Sequence, residues 1–286
     1  MILQILKKYT FRELIRKIDN RYGLGRLETL MASNWFNPLA TFYLNIRSFK
    51  LSHAWKMPIF VFGRPRFYNL SGRMEIEGRV SPGMIVFNRT RAGSPSIESL
   101  QSEIMNQGRI VFHGCGIIGT GNKIRVAKHG VLEIGQDFKI TDMVNVGVFS
   151  RVIIGEKTRI AHRCQILDSN YHYVANLNNR TIPKCAKPIT IGRECWICNS
   201  STVTGGTTLP DFTIVASNSF VNKDFRHIGT EAIIGGIPAK LIKTGFRRIM
   251  NNEMETSLYY YYDKNPNCVF KIPENIMPET CSHDNL

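Results

Sequence analysis

No stretch of the 286 residues approaches the ~18 consecutive apolar positions of a membrane-spanning helix, so no transmembrane helix is read from the sequence. No secretory leader is read at the N-terminus either. The opening MILQILKKYTFRELIRK has too short an apolar run, and its charges follow that run instead of leading it. Cysteine is sparse, seven scattered residues of odd number, which argues against a disulfide framework and for a reduced, cytoplasmic protein. The Asn-x-Thr/Ser triplets at Asn88, Asn179 and Asn199 are then coincidental. Acidic residues are in deficit, 22 against 37 Lys+Arg, for a net charge of +15. Such an excess attracts polyanions: nucleic acid, an anionic membrane surface or phosphate-bearing ligands.

The helical and strand periods are absent where the chain is most regular. Between Ile191 and Val221 an aliphatic residue returns every six positions, at Ile191, Ile197, Val203, Leu209, Val215 and Val221. A small residue follows each of the first five by four positions, at Cys195, Ser201, Thr207, Thr213 and Ser219. Neither a period of 3.6 nor one of 2 produces this double comb. A period of six is a hexapeptide solenoid signature, with the aliphatic side chain filling a narrow interior and the small one fitting a tight corner. The comb recurs upstream at Ile134, Ile140 and Val146, and at Ile154, Ile160 and Ile166, with Ile118 and Ile124 as an earlier coil. Leu70 to Val221 would hold about eight coils at most.

This organises the chain. Residues 1–60 read as helix and loop, broken by Gly23, Gly25 and Pro38. Within them Ile2, Leu3, Ile5, Leu6, Leu14, Ile15 and Ile18 interleave with Lys7, Lys8, Arg12, Arg16, Lys17 and Arg21, a basic amphipathic pattern suited to a membrane face or to packing on the solenoid. Residues 61–250 form the solenoid, with a helical insertion expected near Ile97–Met105. Its long interruption, 170–188, makes Ile166 and Ile191 25 positions apart where a multiple of six is expected. Such insertions project from one face and often carry the site. The polar tail 251–286 would cap the last coil or stay partly unstructured.

The block IGRECWICNSSTVTGGTTLPDFTIVASNSFVNKDF, followed by GGIPAKLIK, resembles the hexapeptide-repeat acyltransferases, especially the maltose/galactoside and polysaccharide O-acetyltransferase group. The resemblance covers most of 110–245 and rests on Trp196 in I-G-x-x-x-W-I, the V-N-K-D segment Val221–Asp224, and G-I-P-A-K at Gly236–Lys240. It implies a mainly β fold, a left-handed parallel β-helix with an N-terminal helical segment, against the usual right-handed crossover. It implies a homotrimer with sites between subunits, acetyl-CoA as co-substrate, and a histidine base. The departures are A-S-N in place of glycine-rich turns near Ser217, and Cys198 after W-I.

His172, in D-S-N-Y-H-Y at the start of the long loop, stands where that family has its catalytic histidine. The chemistry agrees. A sugar hydroxyl is too weak an acid to attack a thioester unaided, and a base of pKa near ~6.5 can take its proton at neutral pH. Asp168, four residues earlier, could orient the imidazole, bind the acceptor or cap the turn. The resemblance places Trp196 and Asn199 beside the pantetheine and thioester, Ala216 and Ser217 along the pantetheine arm through backbone groups, Asn222 and Lys223 at the far end of the cofactor, and Lys240 and Lys243 near its phosphates. Thr141, Asp142 and Asn145 could line an acceptor wall. No metal is expected. Cys195-x-x-Cys198 has no second CxxC, its first cysteine falls in the small-residue register, and no two histidines are five apart as β-helical zinc enzymes need. The expected activity is O-acetylation of a sugar or polysaccharide hydroxyl, with N-acetylation of an amino sugar or nucleotide-sugar, or a non-catalytic scaffold, as alternatives. No nucleic-acid partner is expected. The location is cytoplasmic, at the inner face of the membrane if the basic N-terminal helix makes peripheral contact.

Overall fold

The computed structural model describes residues 35–89, 100–273 and Cys281. The basic amphipathic segment expected over Ile2–Arg21 lies outside them. The described chain winds as a left-handed parallel β-helix of three sheets, in which every third strand pairs with its predecessor. The first face begins with Ile59–Val61 and the second with Arg66–Tyr68; the third begins with Arg73–Ile76. Six strands stack on the third face and seven on the second, so there are six full coils and part of a seventh.

The comb becomes three interior columns. On the first face Phe87, Ile118, Ile140, Ile160, Ile197, Val215 and Ile234 are successive partners. Ile104, Ile124, Val146, Ile166, Val203 and Val221 form the second-face column. Phe112, Ile134, Ile154, Ile191 and Leu209 form the third. All are buried. Coils lie ~4.8 Å apart, so each aliphatic group packs on those above and below, and each contributes about 1.5–3 kcal/mol by leaving water.

The small residues sit where expected. Each follows a left-handed residue at a corner: Glu194, Ser200, Gly206, Phe212 and Asn218 have φ of 51°, 60°, 90°, 61° and 57°. The hydroxyls then bond carbonyls at the corners. Ser201 Oγ and Ser219 Oγ both donate to Ala216 O, at 2.9 and 2.6 Å, and Thr207 Oγ1 donates to Val221 O at 3.1 Å. At another corner the coils approach so closely that a Cβ on Gly155 would lie 2.4 Å from the Gly192 carbonyl carbon. This explains the glycine of the recurrent Ile-Gly pairs.

From Ile104 to Val221 one corner absorbs every irregular length. Phe67 to Ile76, Ile104 to Phe112, Ile124 to Ile134, Val146 to Ile154 and Ile166 to Ile191 all exceed six positions, and all turn from the second face to the third. The 170–188 loop is the largest member of this series. The helical insertion expected near Ile97–Met105 is not found at its described end. Glu103–Asn106 is a strand with Ile104 and Asn106 turned inward, paired to Arg66–Tyr68 and Lys123–Val126.

Helix α1 (Pro38–Ser48) and the short α2 (Leu51–Ala54) cover the first coil. At the other end Ala239–Thr244 runs antiparallel to Ala232–Gly236 and closes the first face. In the tail, helix α3 (Asn252–Lys264) is capped by Asn251, whose side chain accepts from Met254 N–H.

Candidate active site

The long loop is pinched at its base and folded at its tip. Lys187 N–H donates to Asp168 O at 2.8 Å, and Ser169 pairs with Ala186 across the neck. Farther out Asn176 and Thr181 exchange backbone bonds of 2.8 and 3.2 Å, and Asn176 Oδ1 accepts from the amides of Asn178 and Asn179.

Tyr171, immediately before His172, is held in three ways. Its backbone is left-handed with φ 64°, and its N–H donates to Ser169 Oγ at 3.0 Å. Its ring meets Phe149 edge-on at 4.9 Å, and its hydroxyl lies over Gly147, where a Cβ would come within 2.4 Å of it. With Tyr171 laid on the second face, the exposed His172 borders a cleft of about 200 Å³. Lys184, Lys187, Thr204 and Gly205 line the same cleft. The two lysines went unnoticed in the sequence because nothing in the repeat marks a loop residue as facing inward.

Asp168 does not partner His172 in this geometry. Its side chain is fully buried, Oδ1 accepting from Phe149 N–H at 2.8 Å and Oδ2 from Ser150 N–H at 2.7 Å. The carboxylate caps the bend of the preceding coil, the last of the three roles its position allowed. Burial pushes this carboxyl above its usual range, while the amides of Phe149, Ser150 and Arg151 pull the other way. Asp168→Asn can offer oxygen to only one amide and turns an N–H toward the other, so a loss of about 1–3 kcal/mol is expected in urea unfolding. Because the folded-state pKa is raised, this carboxyl contributes most below the ordinary carboxylate pKa and less as pH rises to the raised value. The Asn variant should lack that dependence.

The other expected residues fall into two groups. By strand register Asn222 and Lys223 lie on the loop's own corner, two coils on, or about 10 Å along the axis. Trp196 lies on the first face, and Asn199 and Ser217 lie at the corner joining the first face to the second; Asn218 N–H donates to Asn199 O at 2.9 Å. Lys240 and Lys243 are exposed on the closing strand, opposite Gly235 and Ile233. The width of the second face therefore separates His172 from Trp196 and Asn199 within one chain.

Three of the expected groups have partners of their own within the chain. Ala216 has no backbone group to spare: its N–H donates to Ile234 O at 2.8 Å, and its carbonyl takes the Ser201 and Ser219 hydroxyls. Thr141 and Asp142 stand at the corner across the second face from the loop, and Asp142 Oδ1 accepts from the Thr120 amide and hydroxyl. Trp196 is covered by Arg248, whose guanidinium lies 4.6 Å from the ring centre.

The Arg248 contact encloses about 310 Å³ between the first face and the start of α3, lined by Lys139, Thr141, Arg159, Trp196, Arg248 and Glu255. Arg159 is ion-paired to Asp137 at 2.8 Å. Burial presses the Arg248 guanidinium below its ordinary range, opposed by Glu255 and reinforced by Arg159. Nearby, burial pushes the Cys195 thiol up to about 12 and that of Cys198 to about 11, so both are protonated at neutral pH.

No family profile matches the chain. It is 27% identical over 148 residues to a protein of Escherichia coli (strain K12) described as the lipopolysaccharide biosynthesis O-acetyl transferase WbbJ, spanning 49% of this chain and 74% of that protein. It is 26% identical over 155 residues to the dTDP-4-amino-4,6-dideoxy-D-glucose acyltransferase of Escherichia coli, spanning 50% of this chain and 79% of that one. Among solved structures, a hexapeptide-repeat acetyltransferase of Vibrio cholerae complexed with acetyl coenzyme A is 21% identical, with a TM-score of 0.38, over 47% of this chain and 70% of that one. By the register of its coils the chain is a hexapeptide-repeat β-helix, and the sequences it resembles are acyltransferases.

Proposed function

We propose that the chain transfers an acetyl group from acetyl-CoA to a hydroxyl of a sugar or polysaccharide, with His172 as general base. The observation that carries this reading is the anchored loop: Tyr171 is fixed on three sides so that the next residue presents its imidazole at a cleft. A nitrogen of that imidazole takes the hydroxyl proton as the oxygen attacks the thioester carbonyl. The carbon–sulfur bond then breaks, and the proton passes from the imidazolium to the departing thiolate. The thioester arrives activated, so no acyl-enzyme is required. Holding both reactants in one cleft supplies much of the acceleration.

The placement of the residues favours a homotrimer. His172 stands at one edge of the second face, and Trp196 and Asn199 stand beyond the other. A site using both sets draws them from adjacent copies, and Asn222, Lys223, Lys240 and Lys243 line the path toward the cofactor's phosphates. The likeness to an amino-sugar acyltransferase, with Lys184 and Lys187 beside His172, favours a second reading, N-acylation of a phosphate-bearing amino sugar.

The test is thiol release from acetyl-CoA against a panel of glycosides, polysaccharide fragments and nucleotide amino sugars. Release with a hydroxyl acceptor supports the first reading; release only with an amine supports the second. CoA at 100 times its Kd should add about 2.7 kcal/mol of stability. No release and no CoA-dependent rise in Tm would leave a scaffold.

A further inference from the structure

Helix α1 is turned inside out relative to an ordinary surface helix. Its buried residues are Thr41, Leu44, Asn45 and Ser48, mostly polar, while Leu39, Phe42 and Tyr43 are exposed. The inward polarity has a clear cause. Ile59–Val61 is the open edge of the first face, and its backbone groups need partners. Asn45 supplies them, with Nδ2 donating to Ile59 O at 2.8 Å and Oδ1 accepting from Ile59 N–H at 3.1 Å. Thr41 Oγ1 accepts from Val61 N–H at 3.0 Å. With these side chains committed inward, the large apolar ones are left outside.

By helical spacing the exposed Leu39, Phe42 and Tyr43 share one side of α1. Leu39 and Trp35 are 82% and 71% exposed, and Leu51 and Trp55 extend this apolar surface from the α2 segment. The rings of Phe42 and Trp55 meet edge-on at 6.5 Å. Between Thr29 and Met74 the chain has no acidic residue and six basic ones, and of these Arg47, Lys50 and Lys56 are exposed within or beside the two helices.

We propose that this end cap docks on the surface of an anionic phospholipid bilayer. Indole and phenol rings belong at headgroup depth, with Leu39 and Leu51 below them and the cations on lipid phosphates. A second copy of the chain fits poorly as occupant, because a two-fold contact would set the same cations against each other. The cap is on the first coil and the His172 loop on the fifth, so the cleft would stand roughly 20 Å along the axis from the bilayer. The inference is independent of the acyl-transfer reading.

The experiment is co-sedimentation of the full chain with vesicles of phosphatidylcholine alone or mixed with phosphatidylglycerol. The wild type should sediment with the anionic vesicles, be released by salt, and ignore the neutral ones. Leu39→Ser/Trp55→Ser and Lys50→Glu/Lys56→Glu should each lower the partition coefficient at least about tenfold. Their Tm should not move, since all four side chains are exposed. Absence of wild-type binding overturns the proposal. So does binding that both variants retain, which would place the contact elsewhere in the chain. A change in oligomeric state in the Leu39/Trp55 variant, with vesicle binding intact, would assign the patch to a protein partner and also overturn it.

Discussion

His172→Ala should lower turnover at least ~10²-fold, equivalent to about 2.7 kcal/mol of lost transition-state stabilisation, with the oligomeric state and the Tm unchanged. The two halves of the expectation have separate grounds. The rate loss follows from the acid weakness of a sugar hydroxyl, which must shed its proton while it attacks. The unchanged assembly follows from the geometry: His172 is exposed at the cleft, and the loop is held by Asp168, Ser169 and Tyr171 on one side and by Ala186 and Lys187 on the other. None of those contacts uses the imidazole. Turnover by single-reaction thiol release, with sedimentation and thermal melting on the same sample, checks both. Wild-type turnover in the variant removes His172 as the base. A collapsed Tm would make it a structural residue.

The regular coils were legible because one requirement repeats: an aliphatic group must fill each face and a small group must fit each corner, and from Ile191 to Val221 nothing interrupts either. The left-handed corner residues were not legible. Glu194, Ser200, Phe212 and Asn218 carry no common side-chain signature, since a corner selects for backbone conformation and for the small residue after it. The opening coils were obscured for another reason. Their interior positions are held by Phe67, Phe87 and Phe112 as well as by aliphatics, and their second-to-third corners vary in length.

Site residues divide in the same way. The long loop announced itself by breaking the register, which put His172 at a cleft. Asp168 is adjacent in sequence yet faces inward, because the alternation along Gln165–Leu167 continues into the corner and delivers its carboxylate to the amides of the coil before. Ala216 shows the reverse limit. A sequence match can suggest that a backbone group faces a ligand, but the corner hydroxyls of Ser201 and Ser219 had already claimed it.

Phe138→Ala should cost about 3–5 kcal/mol, the range for emptying a buried aromatic site. The ring is fully buried and stacked on Phe112 at 5.9 Å. It also occupies space that its strand partner leaves open: a Cβ on Gly116 would lie 2.2 Å from the Phe138 ring. Gly116→Ala should therefore cost about 1–3 kcal/mol by overpacking, although the backbone there is ordinary for any residue. Gly116→Val in the Phe138→Ala background should recover part of the loss, since the added side chain enters the vacated volume. The coupling should fall in the range of about 0.5–3 kcal/mol, measured by urea unfolding at fixed protein concentration. Strict additivity would show that glycine and ring do not share space. Coupling would show that this solenoid tolerates a bulky aromatic in a register that later coils fill with Thr158, Cys195 and Thr213 only because the neighbouring coil gives up its side chain at the same height, a local exchange that nearest-neighbour stacking permits and a single central core would spread over many residues.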